Sequence, residues 1–486
     1  MAIAVLAGSC LPDPVFVCTT EEECIALGDG ARCEAVQYCS TEDQNCASGR
    51  RFHAYAGDGL AGLCTDVTCG DGDILGDELC DDGNDVDGDG CNNDCRPSGT
   101  EVWAVTHASE SDVRDRCYSV AVDSRGWVNV IGHTSTLVEV DGMTVEQADI
   151  WVRQYAPDGT DAWTWVLDGA DNIGEEGWSV EVVDDDNLLV AGSLGTDTTL
   201  TDAWAALISR DGALIAEASH DGEAAWIDAA RGAVMTADGD IIAIGYATTI
   251  SDRETDLWFQ RRNLSDGTID WTQHRPGFPD MIGQWAQDRG HGIAVVPTGY
   301  VAVGVRQGLD VPTGEYSAHH WVEHFDDRGT TQWSDQGAVD DRQSVLTAVA
   351  PTPSGDVLLA GWRADEMGGD ANAWLQRRDP GGRLVWELDI ESPSGDEDKA
   401  NAIVAAGDDG FIVAGELGNG TGSTDAWIAR YADAQTMTWQ WTLSGPSGDR
   451  DTAWGLDVAP DGSIYACGYA STPGTEWDIW VRRFTP

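Results

Sequence analysis

A tryptophan returns at nearly constant intervals along four fifths of the chain. Trp151, Trp204, Trp258, Trp321, Trp374, Trp427 and Trp480 lie 53 or 54 residues apart, with one wider gap of 63 before Trp321. Two residues ahead of each stands an acid or amide, namely Asp149, Asp202, Asp256, Asn372, Asp425 and Asp478, with His319 in the fourth copy. A second tryptophan follows as Trp103, Trp163, Trp271, Trp333, Trp386 and Trp439, with Ala216 filling the one gap. A short apolar run ending in glycine recurs at Gly132, Gly192, Gly245, Gly304, Gly361, Gly415 and Gly468. Seven copies of three landmarks describe one supersecondary unit stacked on itself, not a single irregular core.

Each copy reads as four short strands. SVAVDSRG, WVNVIG, DIWVRQYAPDG and TDAWTWV alternate with period two or run apolar, and Asp-Gly, Ser-Gly and Pro-Gly turns divide them. No helical period persists. The expected fold is all-β, a seven-bladed β-propeller of four-stranded blades over residues 98–486. EVWAVTH, residues 101–107, supplies a second-tryptophan strand with nothing before it, and the last copy lacks that strand. It is expected to complete the seventh blade and close the ring, removing an exposed edge. Cys117 and Cys467 would then lie in neighbouring blades, where a disulfide between them would lock the closure.

Eleven of the thirteen cysteines fall in the first 95 residues. Dense cysteine among few large apolar residues points to small disulfide-stapled modules and an oxidising compartment. Residues 11–64 and 65–97 are expected to be two such modules. The count fits one special cysteine and six pairs. MAIAVLAGSC, residues 1–10, is apolar, then small, then cysteine, like the end of a lipoprotein signal. Cys10 is expected either to carry a lipid or to join a disulfide, and the protein to be exported, at the cell surface or secreted. No run of 18 apolar residues exists to span a membrane as a helix, so the only membrane tie expected is that lipid anchor. A formal net charge of −58, from 85 acidic against 27 basic residues, repels nucleic acid and anionic lipid.

The sharpest local motif is CGDGDILGDELCDDGNDVDGDGCNNDC, residues 69–95. Asp85, Asp87 and Asp89 repeat every second residue ahead of Gly90, and a hard cation wanting six to eight oxygens suits such a loop. An EF-hand would need Glu where Arg96 stands. The expectation is a disulfide-framed Ca²⁺ site on Asp85, Asp87 and Asp89, with Asp82 or Asp81, against the alternative of an acidic turn without an ion.

Two family resemblances follow from these landmarks. The array over residues 98–486 resembles bacterial β-propeller repeats of the SBBP kind and, more loosely, NHL-type blades, which implies the propeller fold and no particular activity. Residues 69–95 resemble the cysteine-rich repeat of secreted myxobacterial proteins, with Cys69, Cys80, Cys91 and Cys95 at the family's cysteine positions. Leu79 departs from that pattern. The resemblance implies that these four are disulfide-bonded.

In a repeat protein the recurring residues are mostly structural, and function occupies the places where copies differ. The recurring Arg261, Arg377, Arg430 and Arg483 are therefore expected to partner neighbouring carboxylates. Of five histidines between residues 274 and 324, His320 and His324 share a strand face and are the better pair for a metal or pH-sensitive site. No catalytic motif occurs, and the chain is expected not to be an enzyme. Binding of an extracellular polysaccharide or surface protein is the first expectation. Trp127, Trp178, Trp285 and Trp362, with Trp454 and Trp477, stand outside the repeating tryptophan positions and are its candidate contacts. The rival readings are a structural module of a surface assembly and a propeller enzyme acting on glycans.

Overall fold

The computed structural model describes residues 16–486 except 29, 35–36, 45, 47–48, 57–59, 63–64, 66–68, 71–73, 75–77, 110–112, 141–142, 170–173, 197–199, 223, 225, 251–253, 276–286, 310–315, 338–341, 365–369 and 473–475. Cys10, Cys64 and Trp285 lie outside the described residues. The chain divides into two compact units, residues 1–100 and 101–486.

The first unit holds a short helix, Glu21–Cys24, and a three-stranded sheet of Arg32–Cys33, Cys39–Glu42 and Arg50–Phe52. Disulfides Cys18–Cys33 and Cys24–Cys39 tie the helix region to the sheet, and Cys46 is also disulfide-bonded. In the motif of residues 69–95, Cys80 is bonded to Cys91. Cys69 and Cys95 are thiols, where the family resemblance implied a bond. The Cys69 thiol donates to the Asn92 carbonyl at 3.1 Å. Burial, and then contact with Cys69 and Glu78, pushes the Cys95 thiol far above its ordinary pKa.

The second unit is seven four-stranded antiparallel sheets. The first strand of each lines a central axis: Arg116–Val122, Glu176–Val182, Ala229–Met235, Arg289–Val296, Ser344–Pro351, Lys399–Ala406 and Thr452–Val458. Each touches the first strand of the next blade, and that of blade 7 touches that of blade 1. Glu101–His107 is the fourth strand of blade 7, paired antiparallel to Asp478–Phe484, so the last blade is built from both ends of the unit. Cys117 in blade 1 and Cys467 in blade 7 are joined by a disulfide buried in a shared apolar cluster.

The two tryptophans clamp most blade junctions from both sides. The third-strand tryptophan is 1–3 % exposed in every blade and packs back on the preceding one. Trp204 sits on Ile131, Ile150 and Val152 of blade 1, and Trp151 sits on Tyr465 and Val481 of blade 7. Burial on this scale is worth about 2–3 kcal/mol for each indole. The fourth-strand tryptophan reaches forward instead. The indole N–H groups of Trp103, Trp163, Trp271 and Trp333 donate to Pro157, Arg210, Asp327 and Pro380, the turn carbonyls of the following blade, at 3.0–3.1 Å. Their rings lie on the turn glycines. A Cβ on Gly212, whose φ is +84°, would stand 2.9 Å from the Trp163 ring. Ala216 leaves one junction without this staple. Trp439 lies against Phe484 instead, and its N–H lacks a partner.

The recurring arginines stay within this frame. Arg261 pairs with Asp240 and Asp270, Arg377 with Asp356 and Asp409, and Arg483 with Asp461.

Candidate functional site

The landmark glycines mark more than a strand end. Opposite each one, the first strand carries a bulge. In blade 1, Cys117 pairs with Gly132 and Ser119 with Ile131, so Tyr118 is skipped. The same step skips Trp178, Arg231, His291, Thr347, Asn401 and Trp454 in the blades that follow. A bulge brings the backbones together and re-aims the extra side chain. A Cβ on any of the seven landmark glycines would stand 1.8–2.3 Å from the facing carbonyl oxygen, which is why the position is glycine in every copy.

The seven skipped side chains point to the axis and form one ring at the end of a channel of about 560 Å³. They lie 14 residues before the landmark glycine, or 13 in blade 4. The ring has two unlike halves. Blades 7, 1, 2 and 3 supply Trp454, Tyr118, Trp178 and Arg231. Tyr118 stacks on Trp178 at 4.2 Å and makes a T-shaped contact with Trp454 at 5.5 Å. The Arg231 guanidinium lies 3.7 Å over the Trp178 ring. Blades 4, 5 and 6 supply His291, Thr347 and Asn401, and each donates to a backbone carbonyl of the next blade: Leu346, Ala400 and Ala453 at 2.7–3.0 Å. A carbonyl only accepts, so His291 carries its proton on Nδ1 and keeps Nε2 as an acceptor. Burial and then Arg231 push the His291 pKa down to about 3, so this imidazole is neutral at ordinary pH.

Charge is divided along the channel. Arg231 has no carboxylate at ion-pair distance among the described residues, and neither do Arg116 and Arg289, two positions before the ring on their strands. Arg116 donates to the Tyr118 hydroxyl and lies over Trp477, and Arg289 donates to Gln287. Glu176 is the carboxylate among them. Burial pushes its pKa up while Arg231, Arg116 and Arg289 pull it down. Toward the other end of the channel stand Glu181 and Asp457. Burial, and then the charge of Asp457, pushes Glu181 up to about 7. Burial pushes Asp457 up to about 6 against hydrogen bonds from the Val122 and Val458 N–H groups, both at 2.8 Å.

The candidates read from the sequence are spread over the molecule. Trp178 and Trp454 stand in the ring, and Trp477 lies over Arg114 and Arg116 beside it. Trp362 is half-buried under the Lys399 ammonium. Trp127, beneath Arg125, lies at the far end of blade 1 from the ring. The histidines do not gather. His291 enters the channel, His320 faces the Ser344 hydroxyl, and His324 faces that of Thr298. In the first unit, Asp82 accepts the Cys91 N–H and Asp87 the Asn93 N–H, and Asn84 donates to both Asp82 and Asp89. Among the described residues, the groups of three carboxylates that converge within 4.8 Å lie elsewhere, at blade junctions, and include none of Asp82, Asp85, Asp87 and Asp89.

No family model and no curated protein matches the chain. Solved structures do. A protein of unknown function from Dyadobacter fermentans is 15% identical with a TM-score of 0.43, over 80% of this chain and all of that one. Drosophila Semaphorin 2a is 7% identical with a TM-score of 0.46, over 79% of this chain and 75% of its own. An ulvan lyase, a polysaccharide lyase solved with bound saccharide, is 10% identical with a TM-score of 0.46, over 79% and 94%. The lyase corrects one expectation. The lack of a catalytic motif was read as excluding an enzyme, yet enzymes occur among the structures this chain resembles, so that exclusion does not stand. At these identities nothing about ligand or chemistry passes to this chain.

Proposed function

We propose that the chain is an exported propeller that binds an anionic saccharide, bearing carboxylate or sulfate, at the ringed end of its axial channel. The observation that carries this reading is Arg231, a guanidinium stacked on Trp178 with no carboxylate at ion-pair distance among the described residues and only Glu176 farther off, in a chain of net charge −58. An arginine so placed is a ready partner for a planar or tetrahedral anion. The ring's two halves suit a sugar. The aromatic half offers a stacking face for the apolar side of a pyranose, and Thr347, Asn401 and His291 Nε2 offer hydroxyl partners opposite. A channel of about 560 Å³ accommodates a saccharide end better than a flat protein surface. Disulfides in both units, and the likeness of residues 69–95 to repeats of secreted proteins, support export.

The test is calorimetric titration of the full chain with acidic oligosaccharides and neutral ones of equal length. Wild type is expected to prefer the acidic series. Arg231→Gln is expected to lose that preference by tenfold or more while keeping its affinity for the neutral series. Equal affinities for both series in wild type would refute it.

Glu181 and Asp457 favour a second reading. A carboxyl protonated near neutral pH in a ligand channel is a candidate general acid. Turnover of a bound glycan, abolished by Glu181→Gln with binding retained, would establish it.

A further inference from the structure

Six of the seven blades place an acid just ahead of the first strand: Asp115, Glu175, Asp228, Asp288, Asp398 and Asp451, all 0–1 % exposed. Four of the aspartates staple two loops by accepting a backbone N–H on each side. Asp115 accepts Ser109 and Ser135, Asp228 accepts Gly222 and Thr248, Asp398 accepts Ser392 and Gly418, and Asp451 accepts Gly445 and Ser471. Asp288 accepts Gln307 and pairs with Arg306.

Glu175 in blade 2 is the exception. It is one methylene longer and wholly buried, and neither of its carboxylate oxygens has a hydrogen-bond partner. The Gly169 and Gly195 N–H groups face it without meeting hydrogen-bond geometry. What it reaches is two more carboxylates. Ligand oxygens of Asp149, Asp168 and Glu175 all lie within 4.8 Å of one another, and Asp149 Oδ1 is likewise buried without a partner. Gly169 lies against both Glu175 Oε1 and the Gly195 carbonyl oxygen, as Gly222 and Gly445 lie against the corresponding groups of blades 3 and 7. Glu175 is wholly buried, Asp149 is partly buried and Asp168 is exposed, its Oδ1 accepting the Gln147 amide at 3.1 Å; a buried carboxylate held against two others is costly unless something positive joins them.

The geometry points to a divalent-cation site, of calcium type, at the junction of blades 1 and 2, held by Asp149, Asp168 and Glu175. A calcium ion takes oxygens at 2.3–2.6 Å, so oxygens up to about 4.8 Å apart can share one. The neighbouring trio Asp202, Asp221 and Asp228 makes the contrast: it also converges, but the Asp228 oxygens are already taken by two N–H groups. The site is separate from the channel and does not depend on what the channel binds.

The test uses the full chain stripped with EDTA, then dialysed against Ca²⁺ and assayed for bound metal per chain, with thermal melts alongside. Asp168 is exposed, so Asp168→Asn leaves the core untouched. Glu175→Gln keeps the shape while removing a buried charge. Each variant is expected to bind one ion fewer than wild type. Saturating Ca²⁺ is expected to raise the wild-type Tm by several degrees and theirs by about 1 °C or less. In EDTA, Glu175→Gln is expected to melt above wild type. A bound-ion count unchanged in both variants, or no bound ion in wild type, overturns the site in favour of a protonated carboxyl cluster.

Discussion

Removing the Cys117–Cys467 bond tests how much the joined ends of the propeller contribute. The bond spans 350 residues. In the chain-entropy description a loop of that length withholds about 5.8 kcal/mol of unfolded-state freedom at 25 °C, an upper figure because residual structure in the unfolded chain reduces it. Unfolding entropy scales at about 2.1 cal/mol/K per residue, so residues 101–486 change by roughly 0.8 kcal/mol per degree near the midpoint. The two together give a drop of about 7 °C for Cys117→Ala with Cys467→Ala. Both cysteines are fully buried among Val120, Val130 and Tyr465, so the lost sulfur packing lowers it a little further. Calorimetry of the double variant and wild type, without reductant, measures the shift. Either single variant is expected to lose most of it, since each breaks the same bond. A drop under about 2 °C, or two alkylatable thiols at these positions in unreduced, unfolded wild type, would refute the reasoning.

Trp163→Phe is expected to cost about 1 kcal/mol by urea denaturation, the net worth of the N–H bond to Arg210. Gly212→Ala is expected to cost more, through its φ of +84° and the 2.9 Å approach to Trp163, and to cost less when combined with Trp163→Ala; strict additivity would show that the staple does not exist. The Glu181 carboxyl is raised from about 4.5 to about 7, so between those values the folded state holds a proton the unfolded chain has lost. Its contribution is full below pH 4.5 and is lost as pH rises through 7. Glu181→Gln is expected to flatten the fall in stability over that window, which a shift of this size puts at up to about 3 kcal/mol, and parallel pH profiles for the two proteins would contradict it.

The blades were legible because their signals are redundant. Trp151 and its six counterparts recur at one spacing, and their role at blade junctions follows from bulk alone. The strand 101–107 was legible from an absence at the other end of the array. The ring was not legible for the converse reason. Tyr118, Trp178, Arg231, His291, Thr347, Asn401 and Trp454 share a position and nothing else, and the bulge breaks the alternation that would have shown them pointing inward. A signal existed in their nearly constant offset from the landmark glycine, but it appears only once that glycine is understood as a close backbone approach. Trp178 was singled out for lying off the repeat, and so were Trp127 and Trp362. Position off the repeat says that a residue is not generic, and only the register says where it goes. Glu175 was hidden by likeness, since one extra methylene in a row of aspartates looks conservative until the hydrogen bonds are followed.

The most direct measurement is a crystal structure of the protein with an acidic oligosaccharide from the calorimetric panel. The expected result is a carboxylate or sulfate within hydrogen-bond distance of the Arg231 guanidinium, with the sugar face on the Trp178–Tyr118 side of the ring. A saccharide seated on the outer strands or at the Trp127 end, with the ring empty, would contradict it.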